Sequence, residues 1–112
     1  MTVPLYQAKA ELFRTLGHPV RIRVLELLQD RPRAVHELLG AIDVEPSNMS
    51  QQLAVLRRAG MVTSSRDGAT VLYTLSTPDV AELLQAARRI LTSMITGQDE
   101  LLAALRSPVE GG

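Results

Sequence analysis

Residues 46–75, PSNMSQQLAVLRRAGMVTSSRDGATVLYTL, change their hydrophobic period half-way along. From Pro46 to about Ala59 the apolar side chains Met49, Leu53 and Leu56 recur at helical spacing. Pro46-Ser47 supplies a helix start and Gly60 a stop. From Met61 to Arg66 and from Thr70 to Leu75 the pattern alternates as in strands, with Asp67-Gly68 joining the two runs. Asp-Gly in that position is a strong hairpin signal, because glycine tolerates the positive φ of the turn. The stretch therefore predicts a helix followed directly by a two-stranded ribbon.

Toward the N-terminus, about Ala34 to Ala41 forms a short helix with Val35, Leu38, Leu39 and Ile42 inward, and Asp43-Val44-Glu45 turns the chain into the next one. Two short helices joined by a brief turn, the second bearing a polar face, describe a helix-turn-helix. Before them, His18-Pro19 opens a helix that carries Val20, Val24, Leu27 and Leu28 and ends before Pro32. A first helix runs from about Pro4 to Leu16, with Leu5, Ala8, Leu12, Phe13 and Leu16 as its apolar face and Gly17 as its stop. Beyond the ribbon, Ser76-Thr77-Pro78-Asp79 starts a long last helix with Leu83, Leu84, Ala87, Ile90, Leu91, Met94 and Ile95 at helical spacing. Gly97 marks a place to kink or split it before Leu101, Leu102 and Leu105. The length of this helix suggests that one edge packs within the subunit and the other against a second one. The expected architecture is mainly α with a small β-hairpin, in the order α-α-α-α-β-β-α. Residues 1–106 are expected to form a single domain and 107–112, rich in Pro and Gly, a disordered tail.

Composition narrows the function. The chain has no cysteine, which excludes disulfides, thiolate metal sites and thiol redox sensing. No apolar run approaches the ~18 residues of a bilayer span, and Gln7, Lys9, Glu11 and Arg14 interrupt anything resembling a signal peptide, so a cytoplasmic location is expected. Twelve basic residues balance twelve acidic ones, yet unevenly: residues 14–33 sum to +3, 34–45 to −3, 46–78 to +2 and 79 onward to −2. A neutral chain can still present one positive face. Catalysis is not expected: there is no cysteine nucleophile, no Gly-rich phosphate loop and no HExxH helix, and the serines lack a nucleophile's setting.

The chemistry lies on the outward side of the Pro46–Ala59 helix. With Met49, Leu53 and Leu56 inward, Ser47, Asn48, Ser50, Gln51 and Gln52 are expected on the exposed N-terminal part. Amides pair in bidentate fashion with adenine, and hydroxyls serve bases or phosphates. That end of the second helix is also the part of such a motif that meets the major groove of DNA. Arg57 and Arg58 are placed for backbone phosphates, and Arg66, with Thr70 beside it, for a contact from the tip of the ribbon.

The quoted stretch resembles the recognition helix and wing of the ArsR/SmtB family of bacterial winged helix-turn-helix repressors, and LGHPVRIRVLELL (residues 16–28) is similar to that family's second helix. The likeness covers about Leu5 to Leu105. It implies a homodimer joined through the first and last helices and repression relieved by an effector, often a metal ion; two-fold symmetry of such a dimer on double-stranded DNA then leads to an inverted-repeat operator. By position, Ser47, Asn48, Ser50, Gln51 and Gln52 match the family's base-reading stretch and Arg66 its wing tip.

The chain departs from the family where metal is sensed. Two cysteines in the third helix are replaced by Ala34-Val35-His36, and the last helix has Asp79 and Glu82 but no histidine. Neither usual metal site is intact, so no cofactor is expected. If a metal did bind, His18 or His36 with nearby carboxylates would give a nitrogen/oxygen site suited to nickel, zinc or cobalt. The bland expectation for His18 is a helix-entry residue, with capping one role open to it, and for His36 a surface or partly buried residue. Two alternatives accompany the regulator reading: a winged-helix module that binds another protein, and a DNA-binding subunit whose sensing is done by a partner protein.

Overall fold

In the computed structural model, which describes residues 2–106, most helix starts have an identifiable chemical cause. Helix α1 (Leu5–Leu16) follows Pro4 and stops at Gly17. Helix α2 (Pro19–Leu27) is capped by His18, whose Nδ1 accepts the Val20 N–H at 3.2 Å, and opens on Pro19. Proline costs little in a first turn, where its missing N–H would have no intrahelical partner. Strand β1 (Arg33–Ala34) leads straight into α3 (Val35–Ala41). At that junction the Glu37 carboxylate accepts the Ala34 N–H at 3.1 Å, one half of a capping box, since Ala34 has no side-chain acceptor to return the bond. Helix α4 (Pro46–Arg58) starts on Pro46.

The end of α4 is the best-defined stop in the chain. The Met61 N–H donates to Leu56 O and the Gly60 N–H to Arg57 O, both at 3.0 Å. Gly60 adopts φ 77°. This pair of bonds is a Schellman motif, in which only glycine takes the left-handed position without strain. It delivers the chain into β2 (Val62–Asp67), which pairs antiparallel with β3 (Thr70–Leu75). Ser76 ties the far end of that hairpin back, its Oγ donating to Gly60 O at 2.6 Å and its N–H to Met61 O at 3.0 Å. Helix α5 runs without interruption over Pro78–Arg106, so Gly97 neither splits nor stops it.

The hairpin differs from expectation by one residue. Asp67 pairs with Thr70, so β2 extends through Asp67, a residue expected in the connection after Arg66, and the loop shrinks to Gly68-Ala69. Gly68 has φ 65°, and among the described residues only glycines take a positive φ, which fits a turn with glycine in its first central position. The sheet also gains a third strand: β1 pairs with β3, Arg33 opposite Tyr73 and Ala34 opposite Leu72, giving the order β1-β3-β2. A two-residue strand has no periodicity of its own to read.

The described residues fall into two compact units, one ending at Ala81 and one beginning at Glu82. In the first, Val24, Leu25, Leu38, Met49, Leu53 and Leu56 are fully buried. Each such side chain contributes about 1.5–3 kcal/mol relative to exposure. Aliphatic residues from α2, α3 and α4 thus hold the helix-turn-helix pair, and the polar side of α4 is defined by contrast. The tail expected from Ser107 lies outside the described residues.

Candidate nucleic-acid interface

Burial sorts the predicted base-reading residues. Ser47, Ser50 and Gln51 are exposed, Asn48 is half-buried, and Gln52 is buried at 8% exposure. The placement of Gln52 is a correction: it belongs to the inner face of α4. Its Oε1 accepts from Arg21 Nη1 and its Nε2 donates to Asn48 Oδ1, both at 2.8 Å. The signal was present in the sequence. Met49, Gln52, Leu53 and Leu56 stand at i, i+3, i+4 and i+7, the spacing of one helix face, and Gln52 fills the polar gap in that row.

Ser47, Ser50, Gln51 and Ala54 form the complementary stripe, continued by the exposed Arg57 and Arg58 in the last turn. Among the described residues, the side chains of Ser47, Ser50 and Gln51 make no hydrogen bond within the protein, so their hydroxyls and amide remain available. The first turn of α4 also presents the N–H groups and the positive end of the helix dipole. A surface recess of about 310 Å³ lined by Ala54, Arg57 and Arg58 lies further along the helix. On the hairpin, Arg66 sits opposite Val71, one pair from the turn, and Thr70 sits opposite Asp67; both Arg66 and Thr70 are exposed.

The arginines of residues 14–33 are otherwise engaged. Arg14 pairs with Glu11, and Arg23 with Glu26 at 3.3 Å. Arg31 pairs with Glu37 at 2.6 Å, and Arg33 reaches Asp30 at 3.4 Å and Leu27 O at 3.0 Å. Arg21 Nε donates to Thr15 O at 2.7 Å. The Arg31 hydrogen bond, with the Ala34 N–H second, holds the Glu37 carboxyl down at about 2 and raises Arg31 in return. By contrast, Arg57, Arg58 and Arg66 have no ion pair among the described residues. Sequence reasoning counted the charges but had no way to tell the spent ones from the free.

The cysteines and last-helix histidines that the family resemblance implies as metal ligands are absent from the sequence. His18 has its Nδ1 lone pair turned to the Val20 N–H, and His36 is exposed on α3. Among the described residues no three His, Asp or Glu side chains gather to share an ion. No helix among them is long and apolar enough to cross a membrane.

Comparison with known proteins agrees with this geometry. Residues 18–64 match the bacterial regulatory protein, arsR family. The chain is 51% identical over 105 residues to the HTH-type transcriptional regulator Rv0081 of Mycobacterium tuberculosis, covering 93% of this chain and 92% of that one. The crystal structure of Rv0081 superposes with a TM-score of 0.80, over 87% of this chain and 98% of that one. The transcriptional repressor BigR of Xylella fastidiosa is 34% identical with a TM-score of 0.71, over 76% and 87%. Mb0332 of Mycobacterium bovis, whose homodimeric winged helix-turn-helix DNA-binding domain was solved in solution, is 25% identical with a TM-score of 0.73, over 81% and 84%. With residues 18–64 matching the family and 93% of its length aligned to Rv0081 at 51% identity, the chain belongs to the arsR family of bacterial regulatory proteins.

Proposed function

We propose that the protein is a homodimeric transcriptional repressor. Each subunit sets the outer stripe of α4 into the major groove, and the two grooves belong to an inverted-repeat operator. The observation that carries this reading is the row Ser47, Ser50 and Gln51, exposed and free of internal hydrogen bonds at the N-terminal end of α4. Such groups can donate to and accept from base edges, while Arg57, Arg58 and Arg66 supply sequence-independent attraction to phosphates. A two-fold dimer would present its recognition helices about 34 Å apart, one helical turn of DNA.

A second copy of the chain is the natural cover for two sets of exposed apolar residues. On α1 these include Leu5 at 69% and Phe13 at 56% exposure, and on α5 Ile90 at 60% and Ile95 at 57%. Patches of this kind on a small chain mark association surfaces. The homodimeric state of Mb0332 supports the same reading. Light scattering of Phe13→Glu and Ile95→Glu variants should show loss of the dimer; a wild-type monomer at micromolar concentration would contradict it.

The test of DNA recognition is selection of bound fragments from a genomic library, followed by mobility shifts of the enriched duplex across salt concentrations. The expected result is an inverted repeat bound far more tightly than scrambled DNA, with affinity falling as salt rises. Absence of any shift at low salt would contradict the proposal and favour a protein-binding role for the domain.

A further inference from the structure

Gln52 does more than fill space. It sits in a directed chain of hydrogen bonds that begins on the backbone of α1 and ends on the recognition helix. Thr15 O receives Arg21 Nε at 2.7 Å, Gln52 Oε1 receives Arg21 Nη1 at 2.8 Å, and Asn48 Oδ1 receives Gln52 Nε2 at 2.8 Å. The direction of each link is fixed by chemistry. A guanidinium has donors only, so the face of Gln52 toward Arg21 must be its carbonyl oxygen. The amide nitrogen of Gln52 then faces Asn48, and Asn48 must answer with its own oxygen. The Asn48 NH2 group, which no bond among the described residues engages, is then the end left to donate outward.

The geometry points to Arg21 and Gln52 as positioning residues that set Asn48 as a hydrogen-bond donor toward the duplex. This deepens the DNA-binding reading above and rests on it. With Oδ1 already accepting from Gln52, bidentate pairing with adenine, which needs the oxygen and the nitrogen together, would compete with that bond. Its ligand on DNA is an acceptor. That acceptor is either a base-edge atom of the major groove, such as guanine O6 or N7 or thymine O4, or a phosphate oxygen. Gln51, the adjacent residue of the same type, is exposed and free to present both ends of its amide. The two glutamines thus divide the work: one touches the outside, and the other decides which way a neighbour points.

Gln52→Glu tests the relay, because a carboxylate keeps the bond from Arg21 but cannot donate to Asn48. Asn48 should then turn its NH2 inward and its oxygen out. The experiment compares wild type, Gln52→Glu, Asn48→Ala and the double variant, using duplexes selected from a random library. If the acceptor is a base, Gln52→Glu should move preference at one symmetric pair of positions toward adenine or cytosine, whose exocyclic amines donate. A change of roughly three- to tenfold is expected, the worth of one hydrogen bond. If the acceptor is a phosphate, the motif should stay and affinity should fall by a similar factor on all sequences. In either case the part of the effect that passes through Asn48 must vanish in the Asn48→Ala background. What survives there is the added charge alone.

An unchanged Gln52→Glu motif and affinity, or an effect of equal size with and without Asn48, overturns the relay. A wild type that enriches no motif overturns the DNA-binding reading instead, and the role of Asn48 with it. Side-chain amide exchange followed by NMR on the DNA-free protein checks the relay without DNA or a substitution. The Gln52 amide protons should be protected and those of Asn48 open to water; the reverse pattern overturns the assignment.

Discussion

Two arginine-bearing regions of the same unit use the same side chain in opposite ways. Between Arg14 and Arg33 all five guanidiniums bond to the protein itself, to carboxylates, backbone carbonyls or Gln52. At the end of α4 and on the hairpin, Arg57, Arg58 and Arg66 are exposed with no ion pair among the described residues. By charge count the first region looks the better anion surface, at +3 over residues 14–33 against +2 over 46–78. Pairing reverses that ranking. A paired arginine has its field partly cancelled by the neighbouring carboxylate and some of its five donors engaged, whereas a free one offers both in full to a phosphate.

Removing the free set puts this contrast under the greatest strain. Replacing Arg57, Arg58 and Arg66 together with Ala should weaken binding on every sequence by orders of magnitude. The slope of log affinity against log salt should flatten by about 0.9 for each phosphate that is no longer neutralised. Unchanged salt dependence would mean that these side chains do not meet the backbone.

Arg21→Ala removes the committed arginine whose bonds tie α2 to the end of α1 and to α4. It leaves Gln52 Oε1 and Thr15 O without their donor, and denaturant unfolding should register a loss of about 1–3 kcal/mol. Gln51→Ala should lower affinity for the selected operator by about 1–3 kcal/mol while sparing scrambled DNA. Equal losses on both would remove Gln51 from base reading.

Smaller effects separate the two sets further. The Glu37 carboxyl, held at about 2 by Arg31 against an ordinary 4.5, favours the folded state whenever it is ionised. Its contribution is complete above about 4.5 and disappears as pH falls through about 2. Urea titrations across that window should show Glu37→Gln losing less stability with acid than wild type does. Arg23→Ala removes only an exposed pair with Glu26. It should cost under about 1 kcal/mol and leave DNA affinity in place.

Much of this was legible in the sequence, for reasons that can be located. The change of period after Gly60 marked the helix and hairpin, because α4 is amphipathic and β2 begins beside it. The stripe of Ser47, Ser50 and Gln51 followed from the phase of Met49, Leu53 and Leu56. Gln52 escaped although it stands in phase with Met49, Leu53 and Leu56, because a glutamine in that row reads as polar surface and its partner Arg21 lies 31 positions away. Strand β1 escaped for a similar reason, its partners Tyr73 and Leu72 being distant in sequence. Leu25 was missed because its neighbours Val24 and Leu28 already satisfied the helical count, although all three are buried. The apolar stripe on the last helix is plain in the sequence, yet most of it is exposed, from Ile90 to Leu105. Periodicity identifies a face that needs cover without saying which molecule provides it.

Everything proposed for DNA recognition requires the outer side of α4 to lie in the major groove. Because the chain contains no cysteine, Ser47→Cys creates a unique attachment point for an iron chelate that cleaves DNA locally. On the selected operator the expected pattern is two clusters of cuts related by the two-fold axis, centred in successive major grooves about one helical turn apart. Tight binding of the labelled protein without such cuts, or with cuts scattered along the duplex, would place α4 outside the groove and overturn the proposal.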